Sequence, residues 1–226
     1  MTSLVSGYKR LRLMKRLFLH SLLAMILLGA TTASPQSFVA GEVMLRFTAG
    51  SLGSFAVEKA LQDNPPDLRS LEPAVAAMQA GTRLPLKPDR LASGNWVLLK
   101  IDSGRLAEQA ADGIRMHRNV ASIRLVPTQP VQAGAPPSLL IEFKPSSHES
   151  LILANPERKK DALLQLVSEL ASTAECPLKS SVQENRLLLV EIDLPALTLL
   201  AVERLKTLRD IENVQPNYLV GLRPPP

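Results

Sequence analysis

Val43, Leu45 and Phe47 alternate with Met44 and Arg46, and Leu139, Ile141 and Phe143 alternate in the same way with Leu140 and Glu142. Alternation of this kind places one set of side chains on one face of a β-strand. The two strands open two halves of the chain that repeat each other. Val97-Leu98-Leu99-Lys100-Ile101-Asp102 matches Leu188-Leu189-Val190-Glu191-Ile192-Asp193 position for position, with a charge, Lys100 or Glu191, at the same outward place and an aspartate at the end. A helical stripe follows each. In the first half it is Leu106, Ala110 and Ile114, with Ala107 and Ala111 beside them. In the second it is Leu197, Leu200, Ala201, Leu205 and Leu208, with Asp193 as N-cap and Pro195 in the first turn. The halves close alike, on Asn119-Val120-Ala121-Ser122-Ile123 and Asp210-Ile211-Glu212-Asn213-Val214, with Pro127 and Pro216 just beyond.

The segments between these landmarks differ more. In the second half Asn155 as N-cap and Pro156 at the first helical position precede an amphipathic run through Leu163, Leu166, Val167 and Leu170. The first half offers a short helix, Phe55 to Gln62. Then comes a Pro-rich passage, Asn64 to Pro88, that reads as an insertion with a small Ala-rich helix, Pro73 to Gln79. The second strand of each half is the weakest, Leu84 to Leu86 and Ala174 to Ser180. The order strand, helix, strand, strand, helix, strand predicts an α+β fold: two tandem split βαβ, ferredoxin-like modules, each a four-stranded antiparallel sheet with two helices on one face. The expected modules are 38–130 and 138–222, joined by a Pro- and Gly-rich linker at 131–137 and followed by a Pro-rich tail, 223–226. The other face of each sheet is expected to be open for docking.

The charge balance changes once the N-terminus is read. Lys9, Arg10, Arg12, Lys15 and Arg16 precede an apolar run, Leu17 to Gly29, and then small residues with Thr31 and Ala33 spaced for cleavage. Residues 1–33 therefore read as a signal peptide with its cut after Ala33, too short for a usual membrane span. The formal charge of +5 lies wholly in this segment, which leaves 21 bases against 21 acids. Nucleic-acid binding needs excess Lys/Arg and stacking aromatics, and neither is present in a neutral chain with 4% aromatics. The expectation is a secreted or extracytoplasmic protein that keeps no stable membrane span after cleavage and has no nucleic-acid partner.

Little in the sequence suggests chemistry. The single cysteine, Cys176, reads as a half-buried core residue and can make no internal disulfide. His20 lies in the signal segment, His117 at a helix end and His148 in a loop. No serine stands in a hydrolase context, and one Cys with two mature His makes a zinc site implausible. No catalytic residues, cofactor or metal are expected.

Two segments carry a family resemblance: Val39-Ala40-Gly41-Glu42-Val43-Met44-Leu45-Arg46-Phe47-Thr48-Ala49-Gly50 and Ile211-Glu212-Asn213-Val214-Gln215-Pro216-Asn217-Tyr218-Leu219-Val220. They resemble the opening and closing signatures of subtilase N-terminal prodomains, the inhibitor-like propeptides that include the fervidolysin type. The closing motif is the more specific. The first half departs from it, with Pro127-Thr128-Gln129 in place of Pro216-Asn217-Tyr218. The resemblance implies a split βαβ fold, a sheet face that docks on the protease, and a C-terminal tail that lies along the substrate cleft. By position that tail is Asn217, Tyr218, Leu219, Val220, Gly221, Leu222 and Arg223, and only the second module carries it. The implied partner is a subtilisin-like serine protease, with the chain as free-standing inhibitor or folding helper. Two alternatives stand beside this: the prodomain part of a truncated or split zymogen, and an interaction module for another exported protein. Mass spectrometry of protein recovered outside the cytoplasm is expected to find Ser34 or a near neighbour at the N-terminus; an intact Met1 there refutes cleavage.

Overall fold

The computed structural model describes residues 37–127 and 136–218. The expected signal segment with its cleavage site, most of the expected linker, and residues Leu219 to Pro226 lie outside them.

The first strand, β1 (Phe38–Phe47), turns its odd-numbered apolar residues inward: Val43 and Leu45 are fully buried and Phe47 nearly so. Ser51 then caps α1 (Leu52–Ala60) by accepting a hydrogen bond from the Ser54 backbone N–H. A short 3-10 turn (Leu68–Leu71) leads into α2 (Glu72–Thr82), β2 (Leu86–Ala92) and β3 (Trp96–Ile101). Asp102 caps α3 (Ser103–Arg115) through Oδ1, which accepts from the Arg105 N–H, and β4 (Val120–Val126) follows.

The second half runs through β5 (Ser138–Phe143), α4 (His148–Leu153), α5 (Lys160–Thr173), β6 (Leu178–Gln183), β7 (Leu187–Ile192), α6 (Leu194–Lys206) and β8 (Ile211–Tyr218). Ser147 caps α4 as Ser51 caps α1, and Asp193 caps α6 as Asp102 caps α3. Most residues of the expected stripes are buried, with Leu200 and Leu208 only partly so. Leu106, Ala107, Ala110, Ala111 and Ile114 line α3, and Leu197, Ala201 and Leu205 line α6.

The α+β class and the two four-stranded antiparallel sheets are as the periodicity requires, but the strands are shared out differently. One sheet has the order β2-β3-β1-β8 and the other β4-β5-β7-β6. The expectation that each half closes its own sheet is therefore corrected: the closing strands are exchanged. Their helices go with them, so that α6 lies on β1 and β8, while α3 lies on β4, β5 and α5. The physical reason is that the two closing strands are equivalent in register. Val214 faces Leu45 and Ile211 faces Phe47, with a bulge between; Ile123 faces Ile141 and Val120 faces Phe143, with a bulge at the same step. Either strand satisfies the backbone groups of either opening strand, so periodicity alone leaves the choice open.

Three local expectations also change. The Pro-rich passage of the first half is not an insertion, because α2 takes the place that α5 takes in the second. Both are followed by a residue with positive φ, Arg83 at 59° and Glu175 at 53°. Asn155 does not cap a helix. Its backbone N–H donates to Ile152 at the end of α4, and a 3-10 turn after Pro156 separates it from α5. His148 is the first residue of α4 rather than a loop residue. The weak second strands lie slightly later than expected, at β2 and β6.

Two bodies result. Residues 103–192 supply α3 to β7 and the whole second sheet, while the first sheet is made from both ends of the chain. A fragment of residues 102–193 is expected to fold alone with dispersed amide resonances. A fragment of 136–218, in which β5 has lost β4, is expected to stay unfolded; the reverse result contradicts the exchange.

Candidate functional site

The sequence places its candidate residues at the end of β8, and that strand lies at one edge of the first sheet, bonded only to β1. Tyr218 faces Phe38 in the ladder, and the two rings meet edge to face with centroids 6.4 Å apart. The Asn217 amide donates from Nδ2 to Glu42 Oε2 at 2.6 Å. Asn217 and Tyr218 are thus held by side-chain contacts to β1 as well as by the ladder. Leu219, Val220, Gly221, Leu222 and Arg223 lie beyond the described residues.

Glu42 belongs to a polar row that crosses all four strands on the face away from the helices. Lys100 Nζ stands 2.7 Å from Asp89 Oδ1 and 3.7 Å from Glu42 Oε1, and Glu42 in turn accepts from Asn217. The hydrogen bond that Lys100 donates to Asp89 holds its ammonium above the usual lysine range against the cost of burial. Beside the row, Lys87 Nζ reaches Asp102 Oδ2 at 2.5 Å, and this bond holds the Asp102 carboxyl below its ordinary value. A cleft of about 420 Å³ lies here, lined by Gly41, Glu42, Lys87, Lys100, Asp102 and Leu194. Further along the same face the Arg46 guanidinium lies over Trp96, 5.9 Å from the ring centroid, and bonds Glu212 at 2.7 Å. This outward face is accordingly charged and internally paired, with Leu98 as its fully buried apolar residue.

The second sheet carries a different polar group, which the repeat pattern alone does not reveal. Glu149 of α4 is 8% exposed and accepts two hydrogen bonds of 3.0 Å from Asn119 Nδ2, one at each oxygen. His117 Nε2 lies 3.8 Å from Glu149 Oε1, and its ring stands edge-on to Phe143. His117 is therefore largely covered, not a solvated helix end. Burial alone would push the Glu149 carboxyl up. The hydrogen bonds from Asn119, from its own backbone N–H and from Ser147, with the field of His117, outweigh burial and hold it below its ordinary value. The available signal is the break in the repeat, since His117 and Asn119 stand where Leu208 and Asp210 stand in the other half.

Cys176 is deeply buried, at 3% exposure, and burial pushes its thiol up to about 11, where it is a poor nucleophile. Among the described residues no three His, Cys, Asp or Glu side chains converge as a metal site, and no helix is long and apolar enough to cross a membrane. Comparison with protein-family models, with curated proteins and with solved structures found no match.

The Glu149 group gives a pH prediction. A carboxyl held low in the folded state contributes stability above its unfolded value, about 4.3 for a free Glu, and loses that contribution as pH falls through the folded value. Glu149→Gln is therefore expected to destabilise the protein at neutral pH, with the gap from wild type closing in acid. Urea midpoints measured across pH 3 to 7 test this. A gap that does not narrow contradicts the assignment.

Proposed function

We propose that this is an exported binding protein, without catalytic chemistry of its own, that inhibits or helps to fold a subtilisin-like serine protease. The observation that supports this is the position of β8. The strand carrying the prodomain-like closing motif, Val214 to Tyr218, ends at the edge of a sheet with Asn217 tied to Glu42 and Tyr218 packed on Phe38. The residues that follow, Leu219 to Arg223, leave from that fixed point. An extended segment anchored at one end binds a cleft through main-chain hydrogen bonds, and anchoring reduces the entropy it loses on binding.

On this reading the tail belongs functionally to the first sheet, three of whose four strands come from the first half. The half without a closing motif thus supplies the surface beside the tail, and the two halves act as one unit. Tyr218 and Leu219 anchor the entry to the cleft, Val220 to Leu222 run along it in substrate direction, and the carbonyl of Arg223 comes nearest the catalytic serine. Pro224 follows. With no N–H and a rigid ring it is a poor leaving group, so the tail resists cleavage and inhibition persists.

The experiment is titration of a subtilisin-like protease with residues 34–226 and with a version ending at Tyr218, which keeps β8 whole. Inhibition by the longer chain and its loss, by tenfold or more in Ki on the scale of about 1.4 kcal/mol, is expected for the shorter one. Equal inhibition, or none from either, overturns the tail mechanism.

A further inference from the structure

The two closing units, α3 with β4 and α6 with β8, are equivalent in register, in bulge and in their capping aspartates, yet they are exchanged. We propose that the exchanged closure is selected by a side-chain code at two places, so that the alternative, in which each half closes on itself, is excluded by charge and by sterics. This inference rests on the fold and is independent of any protease.

The first place is the polar group around Glu149. The pairing of Thr48 N–H with the Asp210 carbonyl and of Lys144 N–H with the Asn119 carbonyl makes Asp210 the counterpart of Asn119. By the same correspondence Leu208 is the counterpart of His117, and Gly53, two residues after the Ser51 cap, that of Glu149, two after Ser147. In the exchanged closure Asn119 and His117 meet Glu149, while Asp210 and Leu208 line, with Gly53, a cleft of about 220 Å³. Self-closure would trade the partners. Asp210 would then take the place from which Asn119 donates to Glu149, and two carboxylates would share one site in which Glu149 keeps the donors of its own helix start but loses the Asn119 amide that bridges both its oxygens. One of them would have to be protonated, or the site opened.

The second place is where helices touch. Counting from the capping aspartates, Gly113 of α3 is the counterpart of Arg204 of α6. A Cβ at Gly113 would stand 2.7 Å from the Thr173 carbonyl oxygen, so α3 reaches α5 only because no side chain is there. Arg204 of α6 instead sends its guanidinium to the carbonyl oxygens of Thr82 and Glu175, one in each body, at 3.0 and 3.2 Å. Self-closure would bring the Arg204 Cβ against the Thr173 backbone, which cannot retreat as a flexible side chain can. The α6–β8 unit therefore fits the first body and not the second, and α3–β4 is left to close the second.

The test uses the full chain with paired cysteines and Cys176→Ala. Met44 faces Gln215 across the first sheet, and Leu140 occupies the position of Met44 in the second. Met44→Cys with Gln215→Cys is expected to form an intrachain disulfide. Leu140→Cys with Gln215→Cys is expected to stay reduced in the monomer, and a link there overturns the proposal. In a second background the code is transposed: Gly113→Arg, His117→Leu and Asn119→Asp, with Arg204→Gly, Leu208→His and Asp210→Asn. The linking pattern is expected to invert, and a folded protein that still joins positions 44 and 215 also overturns it. Should that background not fold, Asn119→Asp alone decides. It is expected to lower the folding equilibrium constant roughly tenfold or more at neutral pH, with most of the loss restored by adding Glu149→Gln. No restoration contradicts the carboxylate clash.

Discussion

The pairing of β8 with β1 is the contact on which the arrangement depends. It joins residues from the two ends of the described chain, completes the first sheet, and brings α6 down over Val43 and Leu45. With β8 committed there, β5 has only β4 to cover its free edge, and α3 must follow onto the second body. Antiparallel ladders admit such a trade because a strand is recognised by spacing and by the alternation of its side chains, both of which the two closing strands share. The cores are equally tolerant: Leu106, Ala110 and Ile114 present much the same stripe as Leu197, Ala201 and Leu205.

Discrimination between such similar surfaces falls to the few positions where the halves differ in charge or bulk. A buried carboxylate is satisfied by one closing unit and would be opposed by the other, and a backbone contact accepts glycine but no larger residue. The value of both lies in the penalty they impose on the wrong partner, which is how specificity arises between nearly equivalent surfaces.

Much of the architecture is legible from periodicity. The strands around Val43, Leu99, Ile141 and Val190, the capping roles of Asp102 and Asp193, and the apolar stripes of α3 and α6 all follow from local rules that hold wherever the element docks. The exchange is not legible that way, because it depends on which of two equal partners is chosen, and that is decided by pairs such as Asn119 and Glu149 that lie far apart in sequence. The start of α5 is misplaced by the pattern for a different reason: Asn155-Pro156 has the composition of a helix start, yet Pro156 opens only a 3-10 turn. The candidate tail was legible as a motif. Its anchoring to Glu42 was not, since that contact spans the whole chain. The polar row through Asp89 and Lys100 was only half visible, through the outward position of Lys100.

Because the first sheet takes its last strand from the end of the chain, the order of synthesis and the order of completion are opposed. Vectorial emergence releases β1, β2 and β3 first, but the edge of β1 stays bare until residue 218 has appeared, whereas the second sheet is complete at residue 192. The body encoded in the middle can therefore mature while the one begun earliest waits. Over that interval an unpaired strand edge is exposed to neighbouring chains. A nascent polypeptide of this design is most vulnerable late, and factors that shield strand edges during synthesis would matter most between the emergence of Phe47 and that of Tyr218.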